Sequence, residues 1–401
     1  MSTKKIHVFA SDVIPFPGCP RSAGGIRSWQ IISGLKENGF EVTFSFDLNT
    51  YLAKKTSIEI ERNLDEVSLW CCHHNHDKSL ILEHLKPDVA IYCNLNLASN
   101  LTKEYPNTIL IVDLYGPIHF EDYLLFNGGL ENVCTKTIDN LKKFDYILTV
   151  SDRQKYFWSA YLSLAGFSFT NLDPLVCPLS LDIPIIERLP SEKISIIFSG
   201  GFYPWQRPDR YLEATATYLD SVHGKLHIFG GPHEGLQNEM DVKSMLANLQ
   251  NKHNSVVYHG YKPIEELYCA LSKCWCALEL MEKNIERELA VTMRTIEFLG
   301  SGTPVIYNDY SSLSELIVKY KAGWSLPTDN IKPLIEVLNT INDEGIIGIM
   351  KKTMGAKDFA ITELNSEKNI YPLVNLLSNP LDKRVCEKKE TSFNFFNIFK
   401  R

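Results

Sequence analysis

The sequence predicts an α/β protein made of two consecutive parallel-sheet domains. Three observations carry this expectation. Strand-like and helix-like patterns alternate from one end of the chain to the other. The strand-like runs are short and apolar throughout, and each is followed by a polar or glycine-rich turn. The alternation lapses once, near the middle, and then restarts. Apolar runs followed by a turn and a helix describe strands buried on both faces, as parallel sheets flanked by helices require. At 401 residues, 44% hydrophobic and 22% charged, the chain has room for two to three domains and is not largely disordered.

In order, IHVFASD reads as the first strand and GGIRSWQIISGLKENG as a helix opened by glycines and closed by Gly39. EVTFSFD, PDVAIYCN, NTILIVDLYG and FDYILTVSD read as further strands with helices between them. Pro178 to Ser191 has three prolines and no clear period, and is the candidate linker. Beyond it, KISIIFSGG, KLHIFGG, SVVYHG, CWCALEL and TPVIYND restart the strand pattern, with a helix expected from Pro208. The expected boundaries are 1–185, 186–365 and a terminal segment 366–401. Two such sheets in sequence imply a cleft where their carboxyl ends face each other.

Charge narrows the function. With 41 basic and 48 acidic side chains the net charge is −7, which argues against nucleic acid as a partner. Lys4 and Lys5 precede an apolar run of only five residues, Ile6 to Ala10, and no stretch approaches the length of a membrane span, so a cytosolic protein is expected. The ten cysteines are scattered, several of them in strand-like runs (Cys93, Cys177, Cys274, Cys276), and read as reduced thiols. Cys71 to His76 holds soft ligands packed too closely for a tetrahedral site, and reads as a polar loop rather than a metal centre.

Each half has a glycine pair at a strand-to-helix turn. Gly24-Gly25 opens a helix, where free N–H groups and the helix dipole favour an anion such as phosphate. The G-x-G-x-x-G dinucleotide fingerprint is absent, which removes most support for a nicotinamide enzyme. In the second half, ERELAVTMRTIEFLGSGTPVI leads an acid-rich loop into a helix carrying Arg294 and Glu297, three apart and therefore on one face. Arg294 beside a helix N-terminus suits a diphosphate, and Glu297 can accept hydrogen bonds from two ribose hydroxyls. The plainer alternative is an Arg294–Glu297 ion pair within the helix.

The order of these segments resembles the retaining, family 4-like glycosyltransferases of the GT-B fold. SGGFYPWQRP, LHIFGGP, YHGYKPIEEL and the Glu286 to Pro304 run are similar to their C-terminal, donor-binding half; Gly24-Gly25, VDLYGP and VSDRQKYFW are similar to the N-terminal half. The resemblance spans roughly residues 5 to 380. It implies two Rossmann-like domains, an interdomain cleft and a C-terminal crossover helix. It places Glu297 on the donor ribose and Gly24 and Gly25 against the diphosphate, with Gly201, Trp205, Arg207, Gly230, Tyr261, Glu288 and Thr295 along the donor. Arg294, Glu286 and His119 are its candidate catalytic residues, and Asp113 and Tyr115 stand on the acceptor side. The chain departs from the family at Leu289, where the first acid of the E-x7-E element belongs, and at Phe202, where an arginine belongs.

Such enzymes, as the resemblance implies, need no protein nucleophile, because the leaving diphosphate takes the acceptor's proton. No cofactor or metal is expected; the nucleotide-sugar is a substrate, and the acidic tracts lack a DxD at a strand end. The acceptor would be a saccharide or lipid-linked glycan, most naturally in surface polysaccharide synthesis. The two departures keep open a second reading, a catalytically weak GT-B subunit supporting another transferase. In the tail, Phe393, Phe395, Phe396, Ile398 and Phe399 are followed by Lys400 and Arg401. That segment either packs back over the N-domain or makes a peripheral membrane contact.

Overall fold

The computed structural model describes residues 4–15, 21–47, 49–50, 72–73, 78–99, 101, 104–126, 129–181, 186–233 and 236–384. The aromatic and basic tail and most of the Cys71–His76 run lie outside the described residues; Cys72–His73 forms a short strand. The N-terminal sheet has seven strands, β1 (Lys5–Phe9), β2 (Glu41–Asp47), β3 (Cys72–His73), β4 (Val89–Tyr92), β5 (Ile109–Asp113), β6 (Tyr146–Thr149) and β7 (Leu175–Val176), in the order 3-2-1-4-5-6-7. The C-terminal sheet has six, β8 (Ser195–Gly201), β9 (Lys225–Gly231), β10 (Val256–Gly260), β11 (Cys276–Glu279), β12 (Val305–Asn308) and β13 (Gly323–Leu326), in the order 10-9-8-11-12-13. Both sheets are parallel throughout.

The apolar runs fill both faces of each sheet. Ile6, Val8, Ile91 and Ile111 pack on one side of the first sheet, and Phe9, Ala90, Leu110 and Val112 on the other. In the second, Ile196, Phe198 and Leu278 face one layer, and Ile197, Ala277 and Val305 the opposite one. Cys93, Cys177, Cys274 and Cys276 are buried free thiols within these layers. Helix α1 (Ala23–Glu37) is capped by Ser22, whose hydroxyl accepts from Gly25 N–H at 3.1 Å, and it ends at Asn38 with Gly39 at φ +82°. The linker is fastened to the C-domain by the buried Arg188, which donates to Leu271 O, Cys274 O and Thr303 Oγ1.

A long helix, Lys332–Glu363, kinks at Gly345 (φ +58°) and leads the chain back toward the N-domain. The last described helix, Ser366–Ser378, lies on α1 and adds Ile370, Leu373 and Leu377 to the N-domain core. The fit is close: a Cβ on Gly34 would come within 2.8 Å of Ile370 Cγ1. Asn369 Nδ2 donates to Leu179 O at 3.0 Å, which ties this helix to the start of the linker.

Candidate active site

The floor of the C-domain side is built by its paired glycines. Gly200 lies opposite Gly230 and Gly201 opposite Gly231 in the β8–β9 ladder. Gly230, at φ +89°, admits no side chain, since a Cβ there would stand 2.2 Å from Gly200 O. An aromatic run follows the strand ends. Trp205 stacks on Tyr203 at 4.9 Å, Tyr203 lies 4.4 Å from His233, and His233 meets Tyr261 at 6.2 Å. The exposed Tyr261 donates its O–H to Gly231 O at 3.0 Å. Flat π-faces beside positive-φ glycines suit a planar ligand that approaches the backbone closely.

Arg294 and Arg207 are already engaged. Arg294 does not pair with Glu297, as its spacing suggested, and presents no open fork. Its Nη1 donates to Ser199 O at 3.0 Å, Nη2 to Gln206 Oε1, and Nε lies 3.3 Å from Glu279 Oε1 at the end of β11. Burial depresses its proton affinity, opposed by Glu279; burial in turn raises the Glu279 carboxyl, opposed by Arg294 and Arg287. Arg207 turns to the surface, bound by Asp209 at 2.8 and 3.0 Å. Phe202, where the resemblance expected an arginine, is buried and packs on Phe198 at 5.1 Å.

Around the departure at Leu289, Glu286 is buried and held by its neighbour Arg287, with contacts of 2.5 and 2.6 Å. Glu288 lies 3.3 Å from Lys283 and is half-buried. Leu289 itself is buried, and its carbonyl accepts from Gln154 Nε2 of the N-domain at 3.0 Å. From the N-domain helix α2 (Ile118–Phe126), Glu121 brings its carboxyl against Glu286 across the cleft. Burial first, then the Glu286 charge, pushes Glu121 up to about 8, against the pull of Arg287.

Glu297 stands on the helix Met293–Gly300 with its carboxyl mostly enclosed, and burial raises its proton affinity. Its counter-ion comes from the other domain: Arg21 Nη1 lies 3.7 Å from Glu297 Oε1 and donates to Tyr268 Oη at 3.0 Å. Arg21 directly precedes the Ser22 cap, so it arrives with the N-terminus of α1. Gly24 and Gly25 are there for closeness, since added Cβ atoms would stand 2.5 Å from Ser11 Oγ and 2.0 Å from Val13 O. The Tyr115 hydroxyl borders the same turn, 3.0 Å from where a Cβ on Gly24 would stand.

Three expected residues stand elsewhere. Asp113 is fully buried in a bidentate pair with the equally buried Arg27 of α1, at 2.8 and 2.9 Å, which takes it off the acceptor side. His119 is fully buried among Phe120, Phe157, Trp158 and Tyr161, and neither ring nitrogen has a hydrogen-bond partner. Burial lowers it to about 4, so it is a neutral packing residue and not a catalytic one. Thr295 is buried with its hydroxyl 2.5 Å from Thr292 Oγ1. Missing from the sequence reading were Arg21, Glu121, Tyr203 and Glu279. A basic residue directly before a Ser-capped glycine helix was a signal for Arg21, and an acid closing a buried strand was one for Glu279.

Among the described residues no group of three His, Cys, Asp or Glu is placed to hold a metal ion, and no helix is long and apolar enough to cross a membrane. Residues 182–355 match the family model for glycosyl transferases, group 1. No curated protein sequence matches the chain. Solved structures of similar shape include a sucrose-phosphate synthase from Thermosynechococcus elongatus, with a TM-score of 0.69 at 13% identity over 94% of this chain and 98% of that one. HepE of Anabaena in complex with UDP matches at 0.64 and 13%, covering 94% and 100%. The lipopolysaccharide outer core galactosyltransferase WaaB, without ligand, matches at 0.59 and 14%, covering 92% and 99%. At these identities the likeness shows the fold, which is GT-B.

Proposed function

We propose that this GT-B chain, which matches the group 1 glycosyl transferases over residues 182–355, moves a sugar from a nucleotide-sugar donor to a saccharide or lipid-linked glycan acceptor. The observation that carries the reading is Glu297: an enclosed carboxylate on a helix at the cleft, facing the glycine-opened N-terminus of α1 with Arg21 between them. A carboxylate for vicinal hydroxyls beside N–H donors for phosphate is the chemistry a sugar nucleotide needs.

The reaction is read as retaining. The bond from the anomeric carbon to the diphosphate breaks, the acceptor oxygen bonds the same face, and the acceptor's proton passes to the diphosphate. The protein's part is to hold charge already in place where it grows on the leaving group, which requires neither cofactor nor metal. Surface polysaccharide synthesis on the cytoplasmic side fits such an acceptor. The engaged Arg294 and Arg207 favour the alternative of a weakly active partner subunit, which a transfer assay with labelled donors separates from an enzyme.

Thermal shift against UDP, GDP, dTDP and ADP tests donor binding, because a ligand of the native state raises Tm by mass action. The UDP held by the Anabaena neighbour makes UDP the first expectation. Glu297→Gln should weaken the binding of the selected diphosphate by about 1.5–3 kcal/mol, as the loss of hydrogen bonds to a charged acceptor, with the fold retained. An unchanged dissociation constant removes Glu297 from the ribose.

A further inference from the structure

A departing diphosphate gathers negative charge, and the C-domain of this chain has little left to meet it. Arg294 is bound on three sides by Ser199 O, Gln206 and Glu279. Arg287 is closed on Glu286, and Arg207 is turned outward to Asp209. Phe202, just past the end of β8, is an apolar and buried side chain. Among these guanidinium groups Arg21 is held most loosely. Its contact to Glu297 is 3.7 Å, its side chain is 23% exposed, and its Nε is buried without a hydrogen-bond partner among the described residues.

Resting on the donor reading above, we infer that Arg21 is the diphosphate-binding cation of this protein, delivered from the N-domain. It precedes the α1 cap, so it shares its place with a helix N-terminus whose free N–H groups and dipole favour phosphate. It already spans the cleft to the carboxylate assigned to the ribose. When ribose hydroxyls take Glu297, the guanidinium loses that partner and turns to the adjacent phosphate oxygens, for which its planar fork is suited. Charge compensation is then complete only with the two domains together. Sugar transfer would be tied to closure by one side chain.

The experiment compares a nucleoside diphosphate with its own nucleoside. Whichever of UDP, GDP, dTDP and ADP raises the Tm of the wild-type protein is titrated calorimetrically, as is the matching uridine, guanosine, thymidine or adenosine. Arg21→Gln should weaken the diphosphate at least tenfold and leave the nucleoside within about twofold. Arg21→Lys, which keeps the charge but not the fork, should fall between. An equal loss for both ligands shows that Arg21 only braces Glu297, and no loss for the diphosphate removes it from the site; either result overturns the inference. If Arg21→Gln fails to fold, Arg21→Lys decides by the same comparison, with equal effects on both ligands counting against it. Should no diphosphate bind the wild-type protein, the donor reading falls first and this inference with it.

Discussion

Replacing Glu121 by glutamine isolates the proton held at the cleft. In the native protein this carboxyl stands against Glu286, with Arg287, Asp122 and Tyr203 around it, and is pushed from 4.5 up to about 8. The sign is opposite to that of an ordinary paired acid. Between pH 4.5 and 8 the folded form holds a proton that the unfolded chain has released, so stability is highest on the acid side and falls as pH rises. At about 1.4 kcal/mol per pH unit, the loss between pH 5 and pH 8 is roughly 3–4 kcal/mol. With an unfolding entropy of about 2.1 cal/mol/K per residue over the whole chain, that is about 4 °C in Tm. Glutamine has no proton to release. Differential scanning fluorimetry at constant ionic strength, from pH 5 to 9, should therefore show the wild type losing these degrees relative to Glu121→Gln, while all other titrations cancel in the difference. Parallel curves for the two proteins would refute the raised carboxyl.

Two further substitutions test the corrected residues. Asp113→Asn leaves Arg27 charged and buried without its bidentate partner. It should cost about 3–5 kcal/mol in chemical denaturation, and a loss under 1 kcal/mol would contradict the buried pair. His119→Phe should be tolerated within about 1 kcal/mol, because the ring makes aromatic contacts and no hydrogen bond. His119 sits at about 4 in the fold, below its ordinary 6.5, so the wild type loses stability as pH falls from 6.5 toward 4. The phenylalanine variant should lose less over that range, and an activity collapse at full stability would return His119 to the chemistry.

Much of the architecture was legible because strands buried between helix layers read as short, mostly apolar runs closed by a turn, a local signal. EVTFSFD and KLHIFGG coincide with β2 and β9 to the residue. The strands Cys72–His73 and Leu175–Val176 carry too few residues to show a run, Gly323–Leu326 (GWSL) breaks its run with glycine and serine, and pairing with a neighbour alone defines all three. At the site, the glycine pairs and Glu297 could be read locally, since a positive φ or a helix face is set within a few residues. Partner choice could not. Arg294 and Glu297 share a helix face, yet one reaches Ser199 and Glu279 in its own domain and the other meets Arg21 across the cleft. Those contacts are made across distances in sequence that no spacing rule covers. Asp113 and His119 lie where open α/β sheets gather their ligands, but burial against Arg27 and the aromatic cluster decides what they do.

The helix Ser366–Ser378 is also a matter of timing. A ribosome releases the N-domain first, with all its strands available, but Ile31, Ile32 and Leu35 belong to a core completed by Ile370, Leu373 and Leu377. Until those residues emerge, the nascent N-domain presents an unsealed apolar surface. The C-domain core needs nothing made after Leu364, the residue that directly follows the long Lys332–Glu363 helix. The half that is translated second therefore has its complete core first, and the half translated first waits for nearly the whole chain. An N-domain expressed alone, cut at the linker, should be insoluble, while the same piece fused through a flexible tether to residues 366–384 regains its missing wall.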